Sequence, residues 1–93
     1  MIISYKDKIT KLVASGKCPK GFAPDLLRPA IRKLTILEYA TSLDDLRSPP
    51  GNRLEALHRE RKGQHSIRIN NQWRICFIWG EDGIEQVEIT DYH

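Results

Sequence analysis

The alternation of apolar and polar residues is sharpest between Arg61 and Trp79. Ile67 and Ile69 alternate with Ser66, Arg68 and Asn70, and Trp73, Ile75, Phe77 and Trp79 alternate with Arg74, Cys76 and Ile78. Period-two alternation on both sides of an Asn70-Asn71 pair predicts a β-hairpin. Holding Ile69 opposite Trp73 and Ile67 opposite Ile75 requires a three-residue loop, Asn70-Asn71-Gln72, because a one-residue slip turns every side chain to the other face. Such a loop asks for one residue in the left-handed region, which Asn tolerates. The same register sets Arg68 across from Arg74 on the polar face. Like charges facing each other are destabilising unless an anion sits between them, so the pair predicts a phosphate-holding face; two solvated arginines splayed apart are the alternative.

The rest of the chain follows from the same kind of pattern. Met1 to Tyr5 is a short apolar run that predicts a first strand. From Asp7, the residues Ile9, Leu12 and Val13 fall at helical spacing among Lys6, Lys8 and Lys11, with Gly16 as a C-cap. A longer helix is expected over roughly Asp25 to Ala40, with Leu27, Ala30, Ile31, Leu34 and Leu37 as its apolar stripe; Pro29 belongs in a first turn, so the helix either starts near Asp25 or begins properly at Pro29. The charged faces of both helices read as solvated surface, with nucleic-acid binding as the other reading. Ser42 to Leu46 has the form of a capped helical turn, Arg47 to Asn52 of a fixed loop, and Leu54 and Leu57 of apolar anchors. A turn at Gly80–Gly83 leads into a last strand from Ile84 to Thr90, pairing Phe77 with Val87 and Ile75 with Ile89. The expected architecture is α+β, in the order β-α-α-β-β-β, with two helices covering one face of a small antiparallel sheet. Its parity places Arg74 opposite Thr90, beside Asp91-Tyr92-His93.

Composition narrows the class. Ninety-three residues, 40% of them hydrophobic, suit one domain spanning 1–93. No apolar run approaches the roughly 20 residues of a membrane span. Met1 to Asp7 lacks a signal peptide's apolar block, so the cytoplasm is the expected location and no membrane contact is expected. Cys18 and Cys76 are too few and too far apart for a disulfide framework or a metal cluster, and read as free thiols. The net charge of +3 is unevenly spread: residues 1–33 carry eight Lys/Arg and two Asp, residues 52–80 carry six and two Glu, and residues 81–93 carry five carboxylates with no Lys or Arg. A basic body with an acidic end fits a polyanionic partner such as nucleic acid.

Three groups converge on one polar edge of this sheet: Arg68 and Arg74; the loop His58-Arg59-Glu60-Arg61-Lys62; and Asp91-Tyr92-His93. Cleaving an RNA phosphodiester needs a base for the ribose 2′-hydroxyl, cations for the charge on the phosphorane, and an acid for the leaving oxygen. Guanidinium and ammonium groups meet the second need without a metal, and His58, His93, Tyr92 and Asp91 could supply the rest. His93 carries the chain's own terminal carboxylate, which together with Asp91 favours the imidazolium, while Arg74 opposes it. A chain end without a role is the alternative. His65 shares the apolar side with Ile67 and Ile69 and reads as a core or edge histidine. There is no GxxxxGK[ST], GxGxxG or HExxH motif and no Cys/His metal spacing, so no cofactor is expected; Asp44-Asp45 reads as capping.

The segment from Leu43 to His93 closely resembles HigB/GraT-type toxins of the RelE-like ribonuclease superfamily. The resemblance rests on Leu46-Arg47-Ser48-Pro49-Pro50-Gly51-Asn52-Arg53-Leu54-Glu55, on Arg61-Lys62-Gly63-Gln64-His65-Ser66-Ile67-Arg68-Ile69-Asn70, on Gln72-Trp73-Arg74-Ile75-Cys76-Phe77 and on Val87-Glu88-Ile89-Thr90-Asp91-Tyr92-His93. The first forty residues agree only in layout. The resemblance implies a type II toxin that cleaves messenger RNA without metal, usually on the ribosome, and a HigA-like helix-turn-helix antitoxin as partner. Carried over by position, His93, Tyr92 and Asp91 match the family's catalytic ending, Arg74 its phosphate-facing arginine and Arg61 the arginine before Gly63. Where relatives often have Lys-Gly-Asp or a similar small turn, this chain has His58-Arg59-Glu60, which puts the role of His58 and the shape of the loop in question.

Two readings stand at this point. In the first, the chain is a metal-independent endoribonuclease in which Arg61, Lys62, Arg68 and Arg59 hold phosphates, and His93, Tyr92, Asp91, Arg74 and His58 do the chemistry. In the second, it is a non-catalytic RNA- or protein-binding module, acting on the ribosome or in a repressor complex. Nothing in the chain supplies a recognition helix, so DNA contact would come through the antitoxin.

Overall fold

A computed structural model describes residues 1–91. It contains helices α1 (Lys8–Ala14) and α2 (Pro24–Tyr39) and strands β1 (Glu55–Ala56), β2 (His65–Arg68), β3 (Trp73–Trp79) and β4 (Ile84–Asp91). The strands form one antiparallel sheet in the order β1-β2-β3-β4. The class is α+β, as the pattern of apolar positions predicts.

Asp7 caps α1, its carboxylate accepting from the Thr10 amide at 2.7 Å. In α2 the buried stripe is Leu26, Ala30, Leu34 and Leu37, with Leu27 and Ile31 at its half-buried margin. Pro29 is not in the first turn, because the helix begins at Pro24 and Pro29 falls in the second. Its ring removes one helical hydrogen bond there, and the packing of the stripe outweighs the loss. Both helices pack with Ile67, Ile75, Phe77, Ile84 and Val87 into one core.

The expected first strand is reduced to two isolated parallel bridges, Ile2 to Ile84 and Tyr5 to Val87. The N-terminal segment runs along the open edge of β4, with the Ile3 amide donating to the Ile84 carbonyl at 2.8 Å and the Lys6 amide to Val87 at 3.0 Å. Gly83 is required by this arrangement. A Cβ there would lie 2.8 Å from both the Met1 carbonyl oxygen and an Ile3 methyl. At the far end of β4 the buried Thr10 hydroxyl accepts from the Ile89 amide at 3.0 Å. The opposite edge is closed by β1, a two-residue strand between the anchors Leu54 and Leu57, whose pattern is too short to announce itself.

The hairpin register is the expected one, with Ile67 paired to Ile75, Arg68 to Arg74 and Ile75 to Ile89. Two details differ. None of the turn residues takes a positive φ; instead the Asn70 side-chain oxygen accepts from the Gln72 and Trp73 amides at 2.9 and 2.8 Å, closing the loop by an Asx turn. And the expected Phe77–Val87 pairing is interrupted by a β-bulge between Cys76 and Ile78, where Gln86 sits at φ +54. The bulge leaves Phe77 and Val87 both in the core while its own amides turn outward: Gln86 donates to the Ser4 hydroxyl at 2.9 Å and Val87 to the Ser4 carbonyl at 3.2 Å.

The long connection from Ala40 to Leu54 is tied down by polar contacts. Ser42 and Asp45 form a capping box around a 3₁₀ turn, Leu43–Arg47, and hydrogen bonds from Thr41 hold the Asp45 carboxyl below its ordinary value. Asn52 is fully buried, donating to the Leu46 and Ser48 carbonyls and accepting from the Lys33 ammonium at 2.5 Å. The Ser48–Pro49 peptide is cis. This loop delivers Arg53, and then β1, to the edge of the sheet's outer face.

Candidate active site

Strand parity divides β3 between two environments. Ile75 and Phe77 face the helices, whereas Arg74 and Cys76 face away from them. On that outer face the cross-strand rows are Glu55, Ser66, Cys76 and Glu88, and next to it Arg68, Arg74 and Thr90. Most of this polar surface is not open. Arg74 is 7% exposed, Cys76 1% and Ser66 fully buried.

Arg74 donates from Nε to the Ser66 hydroxyl at 2.8 Å and from Nη2 to the Arg53 carbonyl at 2.8 Å. Arg53, at φ +46, turns the chain so that this carbonyl reaches inward. Arg68 leans the other way, donating to the Asn70 carbonyl at 2.9 Å and to the Asn71 side chain. The like-charge pair is therefore relieved by divergence onto neutral acceptors, and the expectation of an anion held between the two arginines does not describe the geometry.

The loop after β1 supplies an open cleft of 510 Å³, lined among others by His58, Arg59, Arg61, Cys76, Thr90 and Asp91. The Leu57 amide donates to the Gln64 carbonyl at 2.9 Å and closes the base of this loop, while a 3₁₀ turn, Arg59–Arg61, fills it. Arg59 has φ +58, a conformation in which glycine is the unstrained residue. The side chain at this position is thus carried on a backbone shape that a glycine-containing turn would adopt freely. His58 and Arg59 are exposed on the rim. Lys62 follows the turn, exposed, and is not part of the lining.

Arg61 is half-buried and fixed. Its Nη1 donates to Glu88 at 3.0 Å and to Gln64 at 3.1 Å, and the bond to Glu88 raises its already high pKa. Lys6 approaches the same Glu88 oxygen at 3.7 Å. Burial pushes the neighbouring Cys76 thiol up, against the pull of Arg61. At the end of β4, the Asp91 carboxylate accepts from the Gln72 amide group at 3.0 Å, so the hairpin turn orients it. Tyr92 and His93 lie outside the described residues.

The expected convergence holds for His58, Arg59, Arg61 and Asp91, which share the cleft. Arg74 is paired with Thr90, which lines the cleft, and Arg74, Arg68 and Lys62 are not themselves part of the lining. His65 is on the apolar side, stacked on Phe77 with ring centres 6.2 Å apart. Sequence reasoning passed over Glu88, Ser66 and Gln72. The parity that set Arg74 against Thr90 also puts Glu88 on the same face, and extending it two residues would have found that carboxylate. Among the described residues, no group of three or more His, Cys, Asp or Glu side chains gathers as metal ligands, and no helix is long and apolar enough to cross a membrane.

A two-helix cap on a four-stranded antiparallel sheet, with an open polar cleft at one edge, is a fold that this chain shares with a solved protein. A solved chain of the YoeB–YefM complex from Staphylococcus aureus superimposes with a TM-score of 0.61 at 15% identity, over 100% of this chain and 95% of that one. At the sequence level, residues 4–93 match the family described as the RelE-like toxin of the type II toxin–antitoxin system HigB. Toxin HigB-1 of Vibrio cholerae serotype O1 is 38% identical over 94 residues, covering 100% of this chain and 98% of that protein. An uncharacterized protein of Haemophilus influenzae is 38% identical over 86 residues, 92% of this chain and 85% of that one. The chain belongs to the HigB-like toxin family of type II toxin–antitoxin systems.

Proposed function

We propose that this toxin is a metal-independent endoribonuclease that cleaves messenger RNA on the ribosome in the cytoplasm, and that a HigA-like helix-turn-helix antitoxin neutralises it and carries any DNA contact. One observation carries this reading: His58 and Arg61, from the loop after β1, and Asp91, from the end of β4, line a single cleft. An exposed histidine, a fixed guanidinium and an oriented carboxylate are the group types that transfer of a ribose 2′-hydroxyl proton and stabilisation of a phosphorane require.

In this mechanism the RNA backbone lies across the cleft, with Arg61 on the scissile phosphate and the exposed Arg59 and Lys62 and the half-buried Arg68 on flanking phosphates. Arg74, held by Ser66 and the Arg53 carbonyl and paired with the cleft residue Thr90, adds positive charge next to the site. The segment Asp91-Tyr92-His93 handles proton transfer, with His58 as a second acid or base on the rim. The 2′-oxygen attacks phosphorus as its proton leaves, and the 5′-oxygen departs as it receives one.

Cleavage ends mapped on mRNA translated by programmed ribosomes test the proposal. The intact protein yields discrete ends, and deletion of His93 removes them while RNA binding remains measurable. Intact mRNA after incubation with the full chain would reject the nuclease and leave the reading of an RNA-binding module. His58→Ala isolates the rim histidine: an unchanged rate removes it from the mechanism.

A further inference from the structure

The contact between Arg61 and Glu88 reaches across 27 positions of sequence and gives an exposed cleft a half-buried foundation. A guanidinium has five hydrogens to donate. Both on Nη1 of Arg61 are committed, one to Glu88 and one to the Gln64 side chain. Among the described residues, those on Nε and Nη2 have no partner, and the arginine lines the cleft. Glu88 is well placed to hold this geometry. Its side chain is only 18% exposed, it sits in the middle of β4 opposite Cys76, and Lys6 on the N-terminal segment approaches the same oxygen at 3.7 Å. An unpaired carboxylate at such depth is unfavourable, so Glu88 and Arg61 restrain each other.

From this we propose that Glu88 is a positioning residue: it holds Nη1 of Arg61 so that the Nε–Nη2 edge is presented to a phosphate of bound RNA, with Lys6 balancing the charge. The proposal rests on the reading of the cleft as an RNA site. Orientation is the decisive contribution, because a guanidinium binds phosphate through paired, coplanar hydrogen bonds and loses that advantage when it swings freely. The hydrogen bond rather than the charge does the positioning. A glutamine at 88 still offers a carbonyl oxygen to Nη1; an alanine offers nothing.

The test is a cycle of four variants, Glu88→Ala, Glu88→Gln, Arg61→Ala and the double Glu88→Ala/Arg61→Ala. Each is assayed for mRNA cleavage on programmed ribosomes and for affinity to a single-stranded RNA oligonucleotide, with thermal melting alongside. Glu88→Ala is expected to lower cleavage about tenfold, roughly what one well-directed phosphate contact is worth in free energy. Glu88→Gln recovers most of that loss, and the double variant is no slower than Arg61→Ala alone. Full activity in Glu88→Ala overturns the proposal, as does a double variant slower than Arg61→Ala by the full Glu88→Ala factor. Failure of Glu88→Gln to rescue while it melts with the wild type also overturns it. If the wild type leaves mRNA whole, the nuclease reading fails by itself; the same cycle read as RNA affinity then decides whether Glu88 acts through Arg61.

Discussion

The two faces of β3 are nearly equally buried and opposite in character. Toward the helices, Ile75 and Phe77 are fully buried among apolar side chains. Away from them, Arg74 and Cys76 are almost as inaccessible, yet their surroundings are Ser66, Glu88, Arg61 and backbone carbonyls. The first face is held by volume and can trade one hydrophobic group for another of similar size. The second is held by directional bonds, each of which has one suitable partner. A chain this short has little core to spare, and a buried arginine is weak support for stability. The difference therefore points to function on the polar face.

The largest effect expected is on the apolar side. Phe77→Ala should cost about 3–5 kcal/mol, read from chemical denaturation, because a large ring at the centre of the core leaves a cavity that the sheet cannot collapse into. On the polar face, Arg74→Met keeps the bulk but leaves the Ser66 hydroxyl and Arg53 carbonyl without their donor, costing about 1–3 kcal/mol. It should lower cleavage far more than stability, by about 10²–10³-fold, the range seen when one preorganised donor is removed. An apolar substitution that reduced both in proportion would erase the contrast between the faces.

Smaller effects sharpen it. Arg59→Gly relieves the left-handed backbone at φ +58 and should stabilise the fold by about 0.5–1 kcal/mol, the strain released less the added chain entropy. Because Arg59 stands on the rim, RNA affinity should fall in the same variant. Cys76 gives a pH signature. Burial raises its thiol above the ordinary cysteine value, so its contribution is complete below that ordinary value, about 8.5, and is lost as pH rises further, when the unfolded chain ionises first. Wild type should lose stability above that pH more steeply than Cys76→Ala. Alkylation should mark the exposed Cys18 well before Cys76.

The apolar face was largely legible in the sequence. The alternation of Ile67, Ile75 and Phe77 constrains the register, since a one-residue slip of either strand would turn its apolar residues to the other face. What escaped was local: β1 is two residues long, Gln86 makes a bulge with neither glycine nor proline to mark it, and Asn70 closes its turn through a side-chain oxygen rather than a left-handed backbone. The polar face was legible in composition but not in contacts. Arg68 and Arg74 were found, as was their opposition, but whether such a pair holds an anion or diverges depends on where Ser66 and the Arg53 carbonyl lie. Arg61 was found as a cation of the loop, while its partner Glu88 lies beyond two strands and two turns, and only the parity of the sheet brings the two to one face.

The most direct test of the central claim is to map cleavage ends on translated mRNA for the wild type and Arg74→Met, at a temperature where both are folded. If the polar face of the sheet is the RNA-cleaving surface, the wild type gives discrete ends and Arg74→Met gives almost none. Equal cleavage by the two proteins would contradict it.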